Sequence, residues 1–243
     1  MRRFFVDPEA ISDDLAILSP EESRHIATVL RLRSGTPVEL FDTTGFVYQG
    51  LILTISPRKV TVEILSRYSA ARDGAPRLIL LQSLLKGKKM DFLVQKATEL
   101  GVHAFRPVLT RYSENRGNPK RQHERWRRIM LEACKQCRRT RPMRIEEVVP
   151  FADLDLAEYR KTILPWEEEK TTRLDAGHID YEGSTAILVG PEGGFHTEEV
   201  EQALSRGAVA VSLGSRILRA ETAALTCVAI LQFLGGGLAP EKN

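Results

Sequence analysis

The pattern of the chain changes once, and that change constrains the fold more than any other feature. Upstream of "SAARDGAP" (residues 69–76), the short apolar runs "PVELFD", "FVYQGLILTIS" and "KVTVEILS" follow one another with only turns between them. Downstream, apolar runs alternate with helical periodicity: "RLILLQS" is followed by Met90, Leu93, Ala97 and Leu100 at helical spacing, then Gly101, then "HAFRPV". Close-set strands predict a small barrel, and strand–helix alternation predicts a parallel sheet covered by helices. The polar, Gly/Pro-bearing stretch between them reads as a linker, so residues 1–70 are expected to form a β domain and 74–243 an α/β domain. A chain of 243 residues, 42% of them hydrophobic, carries enough apolar material for two modest cores.

Ahead of the barrel strands, "LSPEESRHIATVL" predicts a helix in which Ser19 caps, Pro20 takes the first position and Glu22 completes a capping box. A helix from Gln122 to Arg139 places Trp126, Ile129, Met130, Ala133 and Cys137 on one stripe. Two more are predicted, Glu198–Ser205 and Glu221–Leu234. The run Ala223–Leu234 is broken by Thr226 and Gln232 and is too short to span a bilayer. It is apolar on nearly every face, so it should be covered all round, with a second subunit as the natural cover. The opening "MRRFFVDPEA" reaches Asp7 and Pro8 before any apolar segment, and three cysteines make no disulfide framework, so a cytoplasmic protein free of membranes is expected.

Charge is unevenly placed. From Arg116 to Arg144 there are eleven Lys or Arg against Glu124 and Glu132, so that segment carries +9 and the remainder −6. A solvated helix face mixes both signs; a face of one sign points to a polyanion, and nucleic acid is the favoured partner.

The stretch "LVGPEGGFHTEEVEQALSRG" (residues 188–207) is a strand, a glycine turn and a helix. "GPEGGF" lacks both the Gly-Lys-Ser/Thr of a phosphate loop and the spacing of a dinucleotide fingerprint. Pro191 has no N–H to offer a phosphate and Glu192 would repel one, so the turn suits a cationic or neutral ligand. A second glycine turn ends the next strand in "SLGSRILRAETAAL", and both turns fall where open α/β sheets bind ligands, at the carboxyl ends of strands.

These stretches, with "KMDFLVQKATELGV" and the early "RHIATVLRLRSG", resemble the RsmE family of 16S ribosomal RNA uracil-N3 methyltransferases of the SPOUT superfamily. The resemblance covers nearly the whole chain. It implies an N-terminal PUA-like barrel, a C-terminal α/β domain with a trefoil-knotted parallel sheet, a homodimer, 16S ribosomal RNA of the small ribosomal subunit as substrate, and S-adenosylmethionine as methyl donor. Residue by residue it assigns the donor site to the strand end at Leu164 and Pro165, to Gly190, Pro191 and Gly194 in the first turn, and to Leu213, Gly214, Ile217 and Leu218 in the second. The residues fit that role, since glycines admit close backbone approach and Ile217 and Leu218 offer apolar walls.

Arg219 is the first catalytic candidate, because a guanidinium can hydrogen-bond a uracil carbonyl and stabilise charge developing on the imide. Its bland alternative is a structural pairing with Glu221 or Glu192. Glu221 could accept the proton or complement the dipole of its helix, and Glu192 has the same two readings. RNA contacts are expected from Arg24 and Arg31 beside His25, from Arg111, and from Arg138 and Arg139. Cys134 and Cys137 form C-x-x-C on a helix with no second pair and read as packing residues rather than zinc ligands. Within the enzyme class, ribose 2′-O methylation is the alternative reaction; outside it, a non-catalytic RNA-binding assembly factor.

Overall fold

A computed structural model describes residues 1–69, 75–114 and 117–239. Most of the expected linker, and Arg116, lie outside the described residues. The chain divides into two compact units, residues 1–72 with 134–142, and residues 73–133 with 143–243.

The first unit is built on β1 (Arg2–Phe5), β2 (Ile11–Ser12), β3 (Leu15–Ile17), β4 (Pro37–Phe41), β5 (Phe46–Ile55) and β6 (Val60–Ser69). They form one sheet in the order β1-β4-β5-β6-β3-β2, antiparallel except for the parallel pair β1 and β4. Phe4 of β1 and Ala16 of β3 stand far apart in that order, yet share one buried cluster with Val38, Leu40, Ile52 and Val62, so the sheet curls around its own core. Helix α1 (Pro20–Arg24) starts as expected, with Ser19 Oγ accepting the Glu22 N–H at 3.2 Å. The Glu22 side chain serves a different purpose from a capping box: it is buried and ion-pairs with Lys135. After Arg24 the helix widens into a π turn, His25–Leu30, and stops at Arg31 in the left-handed region (φ 49°).

In the second unit, β7 (Leu78–Ser83), β8 (Ala104–Leu109), β9 (Arg144–Ile145), β10 (Val149–Pro150), β11 (Lys161–Pro165), β12 (Thr185–Val189) and β13 (Ala208–Val211) form a wholly parallel sheet. Its order is β10-β8-β7-β12-β11-β13, with β9 also on β8. Every residue of β7 and of β12 is buried, as a parallel sheet covered on both faces requires. Helix α2 (Lys89–Glu99) covers it with Met90, Leu93, Val94 and Ala97, and α4 (Thr197–Ser205) with Val200 and Ala203. Helix α3 (Pro119–Cys137) begins three residues earlier than its apolar stripe suggests, because Asn118 Oδ1 accepts the Arg121 N–H and Pro119 needs no donor partner at the first position. It ends before Arg138, which turns left-handed at φ 61°.

The crossing of the chain sets up the site. β11 lies between β12 and β13, so the chain passes over it in going from one to the other. Beyond β13, the Ser212 N–H donates to the Thr172 carbonyl at 2.8 Å and Ser212 bridges Arg173, which binds this segment to the β11–β12 connection. Helix α5 (Ala220–Leu234) then returns to pack on α2, β7 and β12. This path agrees with the trefoil knot that the resemblance implies, and it brings the carboxyl ends of β11, β12 and β13 together. Within its own unit α5 buries one side, with Ala224, Cys227, Val228, Leu231 and Gln232, and leaves apolar side chains uncovered on the other, where Phe233 is 73% exposed.

Candidate active site

Those three strand ends enclose a cavity of about 300 Å³. Pro165, Trp166 and Glu167 line it from β11, Val189 to Glu192 with Gly194 and Phe195 from β12, and Leu213 to Ala220, without Ser215, from β13. The two glycines that matter most do so through backbone shape. Gly194 (φ +73°) closes its turn by donating to the Pro191 carbonyl at 3.0 Å, and Gly214 has φ +107°. Side chains other than hydrogen avoid both conformations. A Cβ on Gly214 would meet nothing within 4 Å, so this backbone stands open. Directly after the first turn, His196 caps α4: its ring accepts from the Glu198 N–H, while the Glu199 carboxylate accepts the His196 N–H at 3.0 Å.

Of the residues expected at the donor site, Gly190, Pro191, Gly194, Leu213, Gly214, Ile217 and Leu218 all line the cavity. Leu164 is wholly buried in the core beneath the sheet, and Pro165 and Trp166 after it face the cavity. The cavity lies beyond the strand end: Leu164 is still inside the sheet, while Pro165 is the last residue of β11 and Trp166 follows it. Ile217 stands 87% exposed and lines the cavity.

The charges around the cavity are sorted by Lys89, a residue that sequence patterning leaves unmarked. Its ammonium lies 2.9 Å from Glu192 Oε1 and 3.7 Å from Glu221 Oε2. The Lys86 N–H also donates to Glu192 Oε1, at 3.1 Å. Partial burial alone would raise the Glu192 pKa, but the hydrogen bonds from Lys89 and from backbone N–H groups outweigh it and hold the carboxyl below its ordinary value. The hydrogen bond to Glu192 raises Lys89 in turn. Glu221 sits at the start of α5, facing a neighbouring hollow rather than the main cavity. With both carboxylates at Lys89, Arg219 is an exposed cavity-lining guanidinium with no ion pair among the described residues. Beyond β11, hydrogen bonds from Thr171 Oγ1 and the N–H groups of Thr172 and Thr171 hold the Glu169 carboxyl down at about 2, which ties the loop after Trp166 into a fixed turn.

Arg24, Arg31 and Arg138 are exposed, as an RNA contact requires. Arg139 is half-buried and donates Nε to the Arg141 carbonyl at 2.6 Å, so it shapes its own segment. Arg111 is exposed but engaged, donating to the His196 ring and to Glu198. On α3, Arg125 pairs with Asp91. Cys134 is buried and Cys137 half-buried, and no group of His, Cys, Asp or Glu among the described residues could hold a metal ion.

Comparison with known proteins agrees with this layout. The RNA methyltransferase domain family matches residues 73–232, and the RNA methyltransferase PUA domain family residues 18–65. The chain is 29% identical to ribosomal RNA small subunit methyltransferase E of Bacillus subtilis, over 96% of each chain. It is 30% identical to the protein of the same name from Aquifex aeolicus, over 90% of this chain and 94% of that one. Among solved structures, the ribosomal RNA small subunit methyltransferase E of Neisseria gonorrhoeae bound to S-adenosyl methionine superposes with a TM-score of 0.85 at 32% identity, covering 96% of this chain and 98% of that one.

Proposed function

We propose that this chain, which belongs to the ribosomal RNA small subunit methyltransferase E family of RNA methyltransferases, transfers a methyl group from S-adenosylmethionine to N3 of a uridine in 16S ribosomal RNA. The observation that carries this reading is the cavity at the ends of β11, β12 and β13, with the guanidinium of Arg219 on its wall. The residues present suit such a donor. Leu213, Ile217, Leu218, Pro165 and Trp166 give apolar walls for an adenine, and the open backbone at Gly214 and the turn Gly190–Pro191–Gly194 can approach it closely. Leu164 contributes through the backbone of its strand end. Glu192 is taken up by Lys89, so Glu167 is the lining carboxylate that could face the positive charge of the donor.

When bound, S-adenosylmethionine supplies an electrophilic methyl group on a sulfonium. The protein's part is to orient the uracil and to stabilise the charge left as the N3 proton departs. We assign that to Arg219, whose guanidinium can donate to a uracil carbonyl, and take Glu221 as the second catalytic candidate, at the start of the helix that follows.

A substitution in the first turn separates donor binding from backbone strain. Valine at Gly194 is strained by the left-handed backbone, and its side chain would point at Glu167 Oε1, 3.3 Å from the Cβ position. Gly194→Val should weaken donor binding by about tenfold or more, equivalent to ~1.4 kcal/mol. Gly207→Val, at φ +91° but away from the cavity, should lose stability and keep the affinity. Calorimetry giving equal donor affinity in both variants would remove the turn from the donor site.

We take residues 1–70 as an RNA-docking domain and 74–243 as the methyltransferase domain, with Arg24, Arg31, Arg111, Arg138 and Arg139 as RNA contacts in the small ribosomal subunit. Alanine at Arg138, Arg139 and Arg141 together should weaken RNA binding and reduce its salt slope by about 0.7 to 0.9 for each phosphate that is no longer neutralised. Donor affinity should stay constant. A salt slope equal to the wild type would return this segment to plain surface. We place the enzyme with its substrate in the cytoplasm; no helix among the described residues is long and apolar enough to cross a membrane.

The deciding experiment incubates the protein and labelled S-adenosylmethionine with small subunits from cells lacking the gene, then identifies the nucleoside by mass. 3-Methyluridine is the expected product. A 2′-O-methylated nucleoside would change the reaction, and no methylated nucleoside would leave an RNA-binding assembly factor.

A further inference from the structure

The β7–α2 connection reaches across to the first glycine turn at three points. Gln82, the fifth residue of β7 and wholly buried, donates Nε2 to the Gly190 carbonyl at 3.3 Å. The Lys86 N–H donates to Glu192 Oε1 at 3.1 Å, and the Lys89 ammonium reaches the same oxygen at 2.9 Å. That ammonium is also 3.7 Å from Glu221 Oε2, a buried oxygen with no hydrogen bond among the described residues. One cation at the first residue of α2 therefore meets a carboxylate from the turn after β12 and another from the helix after β13.

Stability is a poor explanation for this arrangement, because partly exposed ion pairs contribute little to folding. Two other consequences are specific to the site. Lys89 lines the cavity, so its pairing with Glu192 pins the middle of the turn whose ends, Gly190 and Gly194, also line it. Lys89 also occupies Glu192, which lines the cavity with Arg219, and Glu221, two residues beyond Arg219 in the chain. Without the ammonium both carboxylates lose their cation, and Arg219, which lies close enough to act on the charge of Lys89, becomes available to pair with them.

We infer that Lys89 is a positioning residue of the site: its ammonium holds Glu192 and Glu221 so that the 190–194 turn stays docked and Arg219 remains free for the substrate. This rests on the proposed methyl transfer for its functional half, and on the observed ion pairs and hydrogen bonds alone for its structural half. Glu192, held by Lys89 and a backbone N–H, then belongs to the scaffold and is not the proton acceptor.

The test compares Lys89→Met, Lys89→Arg, Glu192→Gln and the double variant Lys89→Met/Glu192→Gln in the full chain. Hydrogen exchange at residues 190–194 is measured without ligand, alongside calorimetric affinity for S-adenosylmethionine and kcat and KM on small subunits. Lys89→Met should speed exchange in the turn, weaken donor binding by about tenfold and lower kcat by a similar factor, since small misplacements of a positioned group cost that much or more. Arginine should restore most of each loss, and Glu192→Gln in the Lys89→Met background should recover part of kcat by removing one competitor for Arg219. A lysine serving stability alone would lower the melting temperature and leave kcat and KM of the folded enzyme unchanged. Unchanged exchange in the turn together with donor affinity within about twofold of wild type would overturn the inference. If the wild type bound no S-adenosylmethionine, the proposed function would fall, and the exchange measurement would still decide whether Lys89 holds the turn.

Discussion

Arg219→Met is expected to leave a folded protein with near-normal donor affinity and a kcat lowered by about 10²–10³-fold, the cost of removing one preorganised donor from a developing negative charge. Folding should be spared because the side chain carries no structural duty. Arg219 precedes α5 with an extended backbone (φ −64°, ψ 152°), and its side chain makes no cap to the helix. The partners it could have had, Glu192 and Glu221, are both at Lys89. Surface substitutions of this kind usually stay within about ±0.5 kcal/mol. Arg219→Lys keeps the charge but loses the planar fork, and should fall between methionine and wild type. Isothermal calorimetry for the donor and single-turnover rates on small subunits separate the steps. If donor affinity fell in parallel with the rate, Arg219 would be a donor-binding group; if the rate stayed within about tenfold of wild type, it would have no part in the chemistry.

How much of this molecule is legible in its sequence depends on the range of the physics involved. The strands "LILLQS" and "TAILV" can be read because burial on both faces of a parallel sheet demands unbroken apolar runs. The seven turn residues expected at the donor site line the cavity, and they are legible because glycine turns with positive φ mark both loops in the sequence. At the end of β11 the sequence locates the strand end and not which side chain faces the cavity: Leu164 is buried, and Pro165 beside it lines the cavity. The start of α3 is readable in "NPK", where Asn118 caps and Pro119 follows, but the apolar stripe begins further on. Lys89 is beyond reach of any local rule. It lies 103 residues from Glu192 along the chain, and only the strand order β7-β12-β11-β13 makes them neighbours. That order depends on a crossing that chain statistics disfavour, so family resemblance is the only guide to it.

Glutamate at two positions of α5 should give two different failures, which together test the proposed homodimer. Leu231 is fully buried within its own subunit, so Leu231→Glu removes a packed side chain and buries a carboxylate without a partner. The lost packing costs about 3–5 kcal/mol and the unpartnered buried carboxylate several more, together about the 5–15 kcal/mol that stabilises an ordinary domain. It should therefore yield no folded protein at all, and a folded, monomeric Leu231→Glu would contradict this packing. Leu225 is different. With Thr222, Thr226 and Ala229 it borders a hollow of about 380 Å³ beside Phe92 of α2, whose ring is 44% exposed. Phe92, Leu100, Leu225 and Ala229 give this hollow an apolar side beside Glu221, Thr222 and Thr226, and it is where we propose the second subunit docks. Leu225→Glu should then fold, sediment as a monomer and bind donor poorly, because Arg219 and the loop before it lead directly into this helix. Sedimentation of the wild type as a monomer at micromolar concentration, with full methyl transfer, would show instead that the exposed face of α5 serves no subunit contact and that the donor loops are ordered within one chain.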